Sequence, residues 1–552
     1  MRPMQARRPR LTAAQLSSLE RALLRPRAYA HRTGHIRRIE THISILYLAG
    51  PFVYKRCKHI DLGFVDFTRP EARYRACIDS LRLNRRLARP LYLDLVEVVG
   101  KGNQYRFAGT RGPHRGGSAV DYALKMRRFR QSDLLSVRAA RGALRREEIE
   151  WSAQRIAAFH RRAAACPLAC GLGSAALVRR QIDDVLTGLE REAPGALPAT
   201  LAQVQRRLAD ELAEHFEQRR AAGFVRECHG DLHLENIVRR GNDIVLFDCI
   251  EFAPELRWID VTADLAFLVM DLLAHGRGDL ATRLVDRWLL ATGDYAGMRA
   301  LKCYVMYRAL VRAFVSILKA PAQDGAARRI PPAAVRYLAL AQRLSAAPSA
   351  SLVLCHGFSG SGKSVVANEL APYMGAIVVS SDVERKRASE PLGASCREPM
   401  PATAYSSVAL DANYHRLAEL ADALLGAGLP VVVDASFLKR AHRASFLELA
   451  KRHGAHVTIV DVHAPRSLLV ERLRERAKSR DEPSDADEAV LHRQMKEAEP
   501  LDAREVSITV AIDAATPREA MRDATFWQPV LARTGAPGWL AGADIRAPGR
   551  AG

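Results

Sequence analysis

A chain of 552 residues with 48% hydrophobic side chains has room for roughly two to four domains with their own cores, and is too apolar to be disordered. Its formal charge is +22, and residues 1–60 carry thirteen Lys or Arg against two acids. That balance favours anionic partners, whether nucleotides, nucleic acid or membrane surfaces, although no aromatic residues interleave the basic ones as base stacking would need.

The nine cysteines are scattered. The closest pair, Cys166 and Cys170 in "CPLAC", is too widely spaced for CxxC redox chemistry, and no His/Cys cluster has metal-ligand spacing. Reduced thiols in the cytosol are expected. The basic start lacks the apolar core of a signal peptide. The greasiest stretches are interrupted by Asp264 and Asp271, and by Arg308 and Arg312, so they read as buried helices of a cytoplasmic protein without a membrane span.

In chain order, strand-like runs fill residues 41–125: "THISILYL", "FVYKRC", "LYLDLVEVV", "QYRFAG" and "DYALKM", separated by turn residues. One helical stretch, "EARYRACIDSLRLNRRLA", interrupts them. From about residue 131 long helices take over, broken by an extended segment at 227–252. Residues 1–130 and 131–320 thus read as a β-rich lobe with a basic amino-terminal segment and a helical lobe. Pro, Gly and Ala clusters around one short helix mark 321–349 as a linker. Strict β–α alternation over 350–530 predicts a parallel sheet with crossovers, and residues 531–552 read as a disordered tail.

"GFSGSGKS", Gly357–Ser364, matches GxxxxGK[ST] between an apolar strand and a helix. Backbone N–H groups of Gly357, Ser359, Gly360, Ser361 and Gly362 would face phosphate oxygens; Lys363 would reach the β- and γ-phosphates, and Ser364 would hold Mg2+. Asp434 ends the strand "VVVDAS", the place for a second metal-binding acid. Asp382 and Arg385 in "SSDVERKR" fall at the carboxyl edge of the sheet, where ligands bind. Arg472, Arg476 and Arg480 lie on a charged helix and loop that would serve as a lid over ATP. These features resemble small P-loop kinases of the gluconate-kinase-like and polynucleotide-kinase-like kind. The resemblance implies that Asp382 orients or deprotonates the acceptor hydroxyl and that Arg385 binds acceptor or phosphate.

Upstream, "HGDLHLEN" sets Asp231 five residues before Asn236, the D-x-x-x-x-N spacing of a kinase catalytic loop, and "DIVLFD" delivers Asp248 where a kinase keeps its metal-binding aspartate. "HGDLHLENIV" with "LFDCIEF" resembles the aminoglycoside phosphotransferase family, which shares the protein-kinase fold. By that resemblance Asp231 is the catalytic base, Asn236 and Asp248 are Mg2+ ligands, His229 shapes the loop, and Lys55 in "FVYKRCK" grips the ATP phosphates, with Lys125 a second candidate. The whole layout looks like a bacterial fusion of such a protein-kinase-like, two-lobed α+β domain with a P-loop α/β domain.

Two departures stand out. No G-x-G-x-x-G loop precedes Lys55, and the helix that should present a Glu to it offers Asp79 or Ser80, with Glu71 two turns earlier. The expected activity is ATP-dependent phosphoryl transfer at two sites, to small hydroxylated acceptors. The alternatives are a nucleotide-sensing first half that regulates an active P-loop kinase, or phosphorylation of nucleic-acid ends by the P-loop half.

Overall fold

The structure is a computed structural model that describes residues 11–61, 66–102, 104–109, 119–320, 330–346, 350–389, 406–477 and 487–541. The chain forms two compact units. The first comprises Met1–Trp151, Ala158–Val178 and Ala213–Phe267; the second comprises Ser152–Ala157, Arg179–Leu212 and Leu268–Gly552. This division runs inside the expected helical lobe instead of following the boundaries at 130 and 320–350.

The first unit is built on an antiparallel sheet of β1 (Arg37–Glu40), β2 (Ser44–Ala49), β3 (Phe52–Cys57), β4 (Tyr92–Val99), β5 (Arg106–Gly109) and β6 (Asp121–Arg127), in the order β1-β2-β3-β6-β4-β5. Period-2 alternation gives the sheet two apolar faces. Ile45, Tyr47 and Ala49 of β2 pack with Tyr54, Val96, Val98 and Ala123 under Leu19, Ala22 and Leu23 of the helix Ala13–Leu23. The basic amino-terminal segment therefore contributes a core helix, which its charge had hidden. On the other face, Leu46, Leu48 and Val53 line an open cleft.

Asp121, at the start of β6, is fully buried and ties β3 to the helix Pro70–Ala88. Its carboxylate accepts from Arg56 at 2.8 Å, His59 at 2.9 Å and Arg73 at 2.6 Å. Burial pushes the carboxyl pKa up, but the His59 hydrogen bond and the Arg56 and Arg73 charges outweigh it and hold the group well below its ordinary range.

Two short ladders complete the unit: β8 (Ile237–Arg240) with β9 (Asp243–Leu246), and β7 (Val225–Glu227) with β10 (Trp258–Asp260). The turn after the helix Arg146–Arg162 brings two free cysteines together. A short 3-10 turn, Leu168–Cys170, sets Cys170 Sγ 2.6 Å from Cys166 Sγ, four positions away in sequence.

In the second unit a parallel sheet runs β12 (Ile377–Ser380), β13 (Val431–Asp434), β11 (Ser351–His356), β14 (His456–His463), β15 (Thr509–Asp513). Strand β11 is central, and its residues Leu352–Cys355 are fully buried. Such strands read as continuous apolar runs because helices cover both faces. The sheet is packed by the helices Lys363–Met374, Ser407–Gly426 and Arg440–Arg452.

Two expectations change here. The stretch read as a linker contains the helix Pro332–Leu344, which buries Ala334, Tyr337, Leu340, Ala341 and Leu344 and packs on the helix Met298–Lys319. The stretch read as a tail from 531 is packed as far as 541. Leu540 is fully buried, and Gly538 N–H donates to the Met374 carbonyl at 2.8 Å; residues 542–552 lie outside the described residues. Among the described residues no helix is long and apolar enough to cross a membrane.

Candidate active sites

In the first unit, the segment Glu227–Phe252 wraps around the β8–β9 hairpin so that Asn236 precedes one strand and Asp248 follows the other. Phe247 N–H donates to the Asn236 carbonyl at 3.0 Å, which carries the two positions to one end of the ladder. Asn236 Nδ2 donates to Asp231 Oδ2 at 3.0 Å and to its carbonyl at 2.9 Å. That leaves the Asn236 side-chain oxygen as the atom able to ligate a cation. His229 is fully buried, and burial lowers its pKa. Its neutral ring accepts from Asp231 N–H at 3.3 Å on Nδ1 and donates from Nε2 to the Phe247 carbonyl at 2.9 Å. The histidine thereby pins the loop to the strand that delivers Asp248.

Asp264 anchors the same loop from below. Its carboxylate accepts from His229 N–H at 3.1 Å, Gly230 N–H at 2.8 Å and His160 Nε2 at 3.1 Å. Gly230 has φ +85°, and a Cβ there would lie 2.7 Å from the Leu256 carbonyl, so the loop's turn requires glycine. The sequence reading used Asp264 only to exclude a membrane span. An acid inside an otherwise apolar helix is itself a sign of a buried polar partner, and could have found it.

Asp248 adopts φ +66°, a left-handed conformation uncommon for a residue with a side chain. Its carboxylate forms an ion pair with Lys55 of β3. Burial alone would lower the Lys55 pKa; the charges of Asp248 and then Glu251 hold it well above its ordinary value. Glu251 is buried, and desolvation pushes its pKa up to about 7 against the pull of Lys55. Neither Asp79 nor Ser80 serves as the missing helical acid. Asp79 pairs with Arg82 at 3.8 Å, and Ser80 is bonded within its own helix to Asn84. That helix instead holds the loop through other groups. Arg82 donates to Glu227 at 2.9 Å, Arg86 to the Glu227 carbonyl at 2.6 Å, and Asn84 accepts from Cys249 N–H at 2.9 Å. Lys125 is excluded from the clamp. It opposes Tyr54 in the β3–β6 register, on the face away from Lys55, and its Nζ lies 4.1 Å from the Phe52 ring centroid.

Beside these groups lies a cleft of about 720 Å³. Ile39, Leu46, Leu48 and Val53 line one side, and Val238 and Phe247 the other. Arg127 at the end of β6 and Arg128 and Arg130 just after it also line the cleft. An apolar slot with arginines in its lining suits a flat base carrying phosphates.

In the second unit, the loop after β11 leads into the helix Lys363–Met374. Gly357 has φ +136°, and a Cβ would meet the Val462 carbonyl at 2.5 Å. Ser359, Gly360, Gly362, Lys363 and Ser364 line a pocket of about 440 Å³ together with Asp382, Arg385 and Asp434. Ser361 is buried, and neither it nor Gly357 lines that pocket. Lys363 Nζ donates to the Phe358 carbonyl at 2.7 Å, Ser380 Oγ donates to Asp434 at 3.4 Å, and Arg385 pairs with Asp382.

The expected lid arginine Arg472 stands elsewhere. It donates to the carbonyls of Gly360 and Ser361 at 3.4 Å each and to that of Ala514 at 2.8 Å. It therefore braces the glycine-rich loop from its carbonyl side, because loop amides turned toward phosphate leave carbonyls facing away. The Arg476 side chain and Arg480 lie outside the described residues.

Residues 108–301 match the model of the phosphotransferase enzyme family, and residues 352–501 match an AAA domain. The chain is 30% identical over 429 residues to uncharacterized protein Rv2004c of Mycobacterium tuberculosis, covering 76% of this chain and 82% of that protein. It belongs to that family, with a kinase-like phosphotransferase segment followed by a P-loop segment. Among solved structures it is similar to a gluconokinase from Sinorhizobium meliloti, at 28% identity over 32% of this chain and 88% of the other, TM-score 0.21. It is also similar to a choline/ethanolamine kinase family protein from Mesorhizobium loti, at 16% identity over 59% and 94%, TM-score 0.38.

Proposed function

We propose that the chain is an ATP-dependent phosphotransferase with two separate nucleotide sites, each transferring the terminal phosphoryl group to a small hydroxylated acceptor. The observation that carries this reading is the segregation of the polar groups. Within the first unit Lys55 pairs with Asp248 and Asn236 with Asp231, at one end of the β8–β9 hairpin, whereas Lys363, Ser364, Asp382 and Asp434 line one pocket within the second.

In the first site Lys55 grips the ATP phosphates, with Asp248 and Glu251 keeping it charged. The Asn236 side-chain oxygen and the Asp248 carboxylate are hard donors that suit Mg2+. When bound, the ion neutralises charge on the β- and γ-phosphates. Asp231 takes the acceptor's hydroxyl proton as that oxygen bonds to the γ-phosphorus, and the bond to the bridging oxygen breaks to release ADP. In the second site the loop amides and Lys363 hold the phosphates, Ser364 and Asp434 offer oxygen ligands to Mg2+, and Asp382 receives the hydroxyl proton. Arg385 keeps Asp382 oriented and contacts acceptor or phosphate.

The test is ATP turnover in full-length Asp231→Ala, Lys363→Ala and the double variant, with sugars, aminoglycosides, nucleosides and RNA ends as acceptors. Each single variant should lose transfer to a different acceptor; unchanged turnover in both would sink the reading. A nucleotide-sensing first site is favoured by one specific observation: among the described residues, the helix Pro70–Ala88 gives Lys55 no acid partner. Lys363→Ala protein that binds ATP with an intact Lys55 yet turns nothing over would support the sensor.

A further inference from the structure

The helix Gly278–Thr292 lies within the segment matched by the phosphotransferase model, yet it belongs to the second compact unit. Polar bonds tie it and the turn after it to the P-loop segment. Arg283 Nη2 donates to the Asn368 carbonyl at 3.0 Å, and Val378 N–H donates to the Asp286 carboxylate at 3.2 Å. Arg387 Nη2 donates to the Leu290 carbonyl at 2.8 Å, and the Tyr295 hydroxyl donates to Glu384 at 3.1 Å.

These partners sit on the helix Lys363–Met374, on β12 and on the helix Ser381–Ser389. Strand β12 is the sheet edge, where an outward N–H has no strand to pair with. Asp286 supplies that acceptor. The helix is thus fixed between the element that carries Lys363 and the one that carries Asp382 and Arg385.

Arg287, the next residue after Asp286, lines the pocket with Lys363, Ser364, Asp382 and Arg385. Six cations line that pocket (Arg287, Lys363, Arg385, Lys439, Arg493 and Arg518) against the three acids Asp382, Asp434 and Glu497. Of these, Arg385 pairs with Asp382 and Arg518 with Glu369 at 2.7 Å, and cations outnumber acids in the lining as a whole.

We propose that Arg287 is an anion-binding residue of the P-loop pocket, holding a phosphate or carboxylate group of the acceptor beside the transferable phosphate. A guanidinium fork matches either oxyanion in two-point fashion. The P-loop pocket is then completed by a residue from outside the P-loop segment. The inference rests on that pocket binding MgATP, so nucleotide binding is measured separately.

The experiment uses full-length protein saturated with the non-hydrolysable analogue MgAMPPNP, titrated calorimetrically with inorganic phosphate and, in a second arm, with acetate. Arg287→Ala should weaken binding of at least one oxyanion by about tenfold or more while leaving AMPPNP affinity unchanged. Arg287→Lys should recover part of the loss, because charge is kept and the fork is not. The phosphate and acetate arms tell which oxyanion is preferred. Equal oxyanion affinity in wild type and Arg287→Ala overturns the proposal, as does wild-type protein that binds AMPPNP but neither anion. AMPPNP binding insensitive to Lys363→Ala would instead overturn the reading of the pocket itself. If Arg287→Ala does not fold, Arg287→Gln and Arg287→Lys give the same comparison.

Discussion

The two proposed nucleotide sites differ in what builds them. The second is a contiguous loop whose backbone would face phosphate, with Gly357, Gly360 and Gly362 at positive φ in its turns. The first is assembled from side chains far apart in sequence. Lys55 meets Asp248 across 193 positions, and Asn236 meets Asp231 across five. A backbone site tolerates change around it so long as its turn survives, whereas a side-chain site depends on every element that delivers a residue. The first site accordingly has the heavier scaffold: Asp264 under the loop, His229 against β9, Arg82, Asn84 and Arg86 from the helix, and Asp121 behind β3.

Breaking that comparison begins with Asp231→Ala. Loss of a positioned proton acceptor is expected to cost about 10²–10⁴-fold in phosphoryl transfer at the first site while the P-loop site keeps its rate; acceptor-specific initial rates measure both. Lys363→Ala should do the reverse, with a loss of about 10²–10³-fold at the P-loop site, the size of removing one preorganised donor to developing charge. Equal losses at both sites from either variant would mean one site, not two.

The scaffold prediction concerns stability. Asp121→Asn leaves Arg56 and Arg73 buried beside an uncharged partner and should destabilise the first unit by about 3–5 kcal/mol in denaturant unfolding at neutral pH. Its carboxyl is depressed in the folded state. The wild-type contribution is therefore present above the ordinary carboxylate pKa of 3.8 and is lost as pH falls through the lower folded value. The variant should show a shallower acid limb, with the P-loop unit's unfolding unaltered.

The smallest effect expected is a reactivity order. Cys170 is the exposed member of the described cysteines, and the hydrogen bond from Cys166 lowers its pKa, while burial raises that of Cys166 to about 12. Iodoacetamide at neutral pH should label Cys170 first, as read by peptide mass spectrometry, and Cys166→Ala should slow that labelling. Labelling of Cys166 ahead of Cys170 would contradict the arrangement.

Much of the molecule was legible because local chemistry repeats at fixed spacing. The apolar runs announced β2, β3, β4, β6, β11, β13 and β14, and Gly357–Ser364 carried its own turn. Asp231, Asn236 and Asp248 could be matched as a set because one hairpin spans them. Strand β15 and the core helix Ala13–Leu23 went unread, the first because "TVAID" is short and edge-like, the second beneath a basic composition. Residues whose signal is a partner and not a spacing were missed: Glu227, Asn84, Arg82 and Arg86.

The sequence by itself determined a kinase-like segment followed by a P-loop segment, and the residue types proposed to handle phosphate in each. Those depend on backbone periodicity and short-range spacing, which the chain states directly. Tertiary structure alone decided which cation faces which acid. It put Asp248 and Glu251, not a helical acid, around Lys55, turned Arg472 onto loop carbonyls, and set Arg287 into the P-loop pocket. Each is a pairing across packed elements, fixed by the need to satisfy buried charges and edge amides, and nothing local in the chain encodes it.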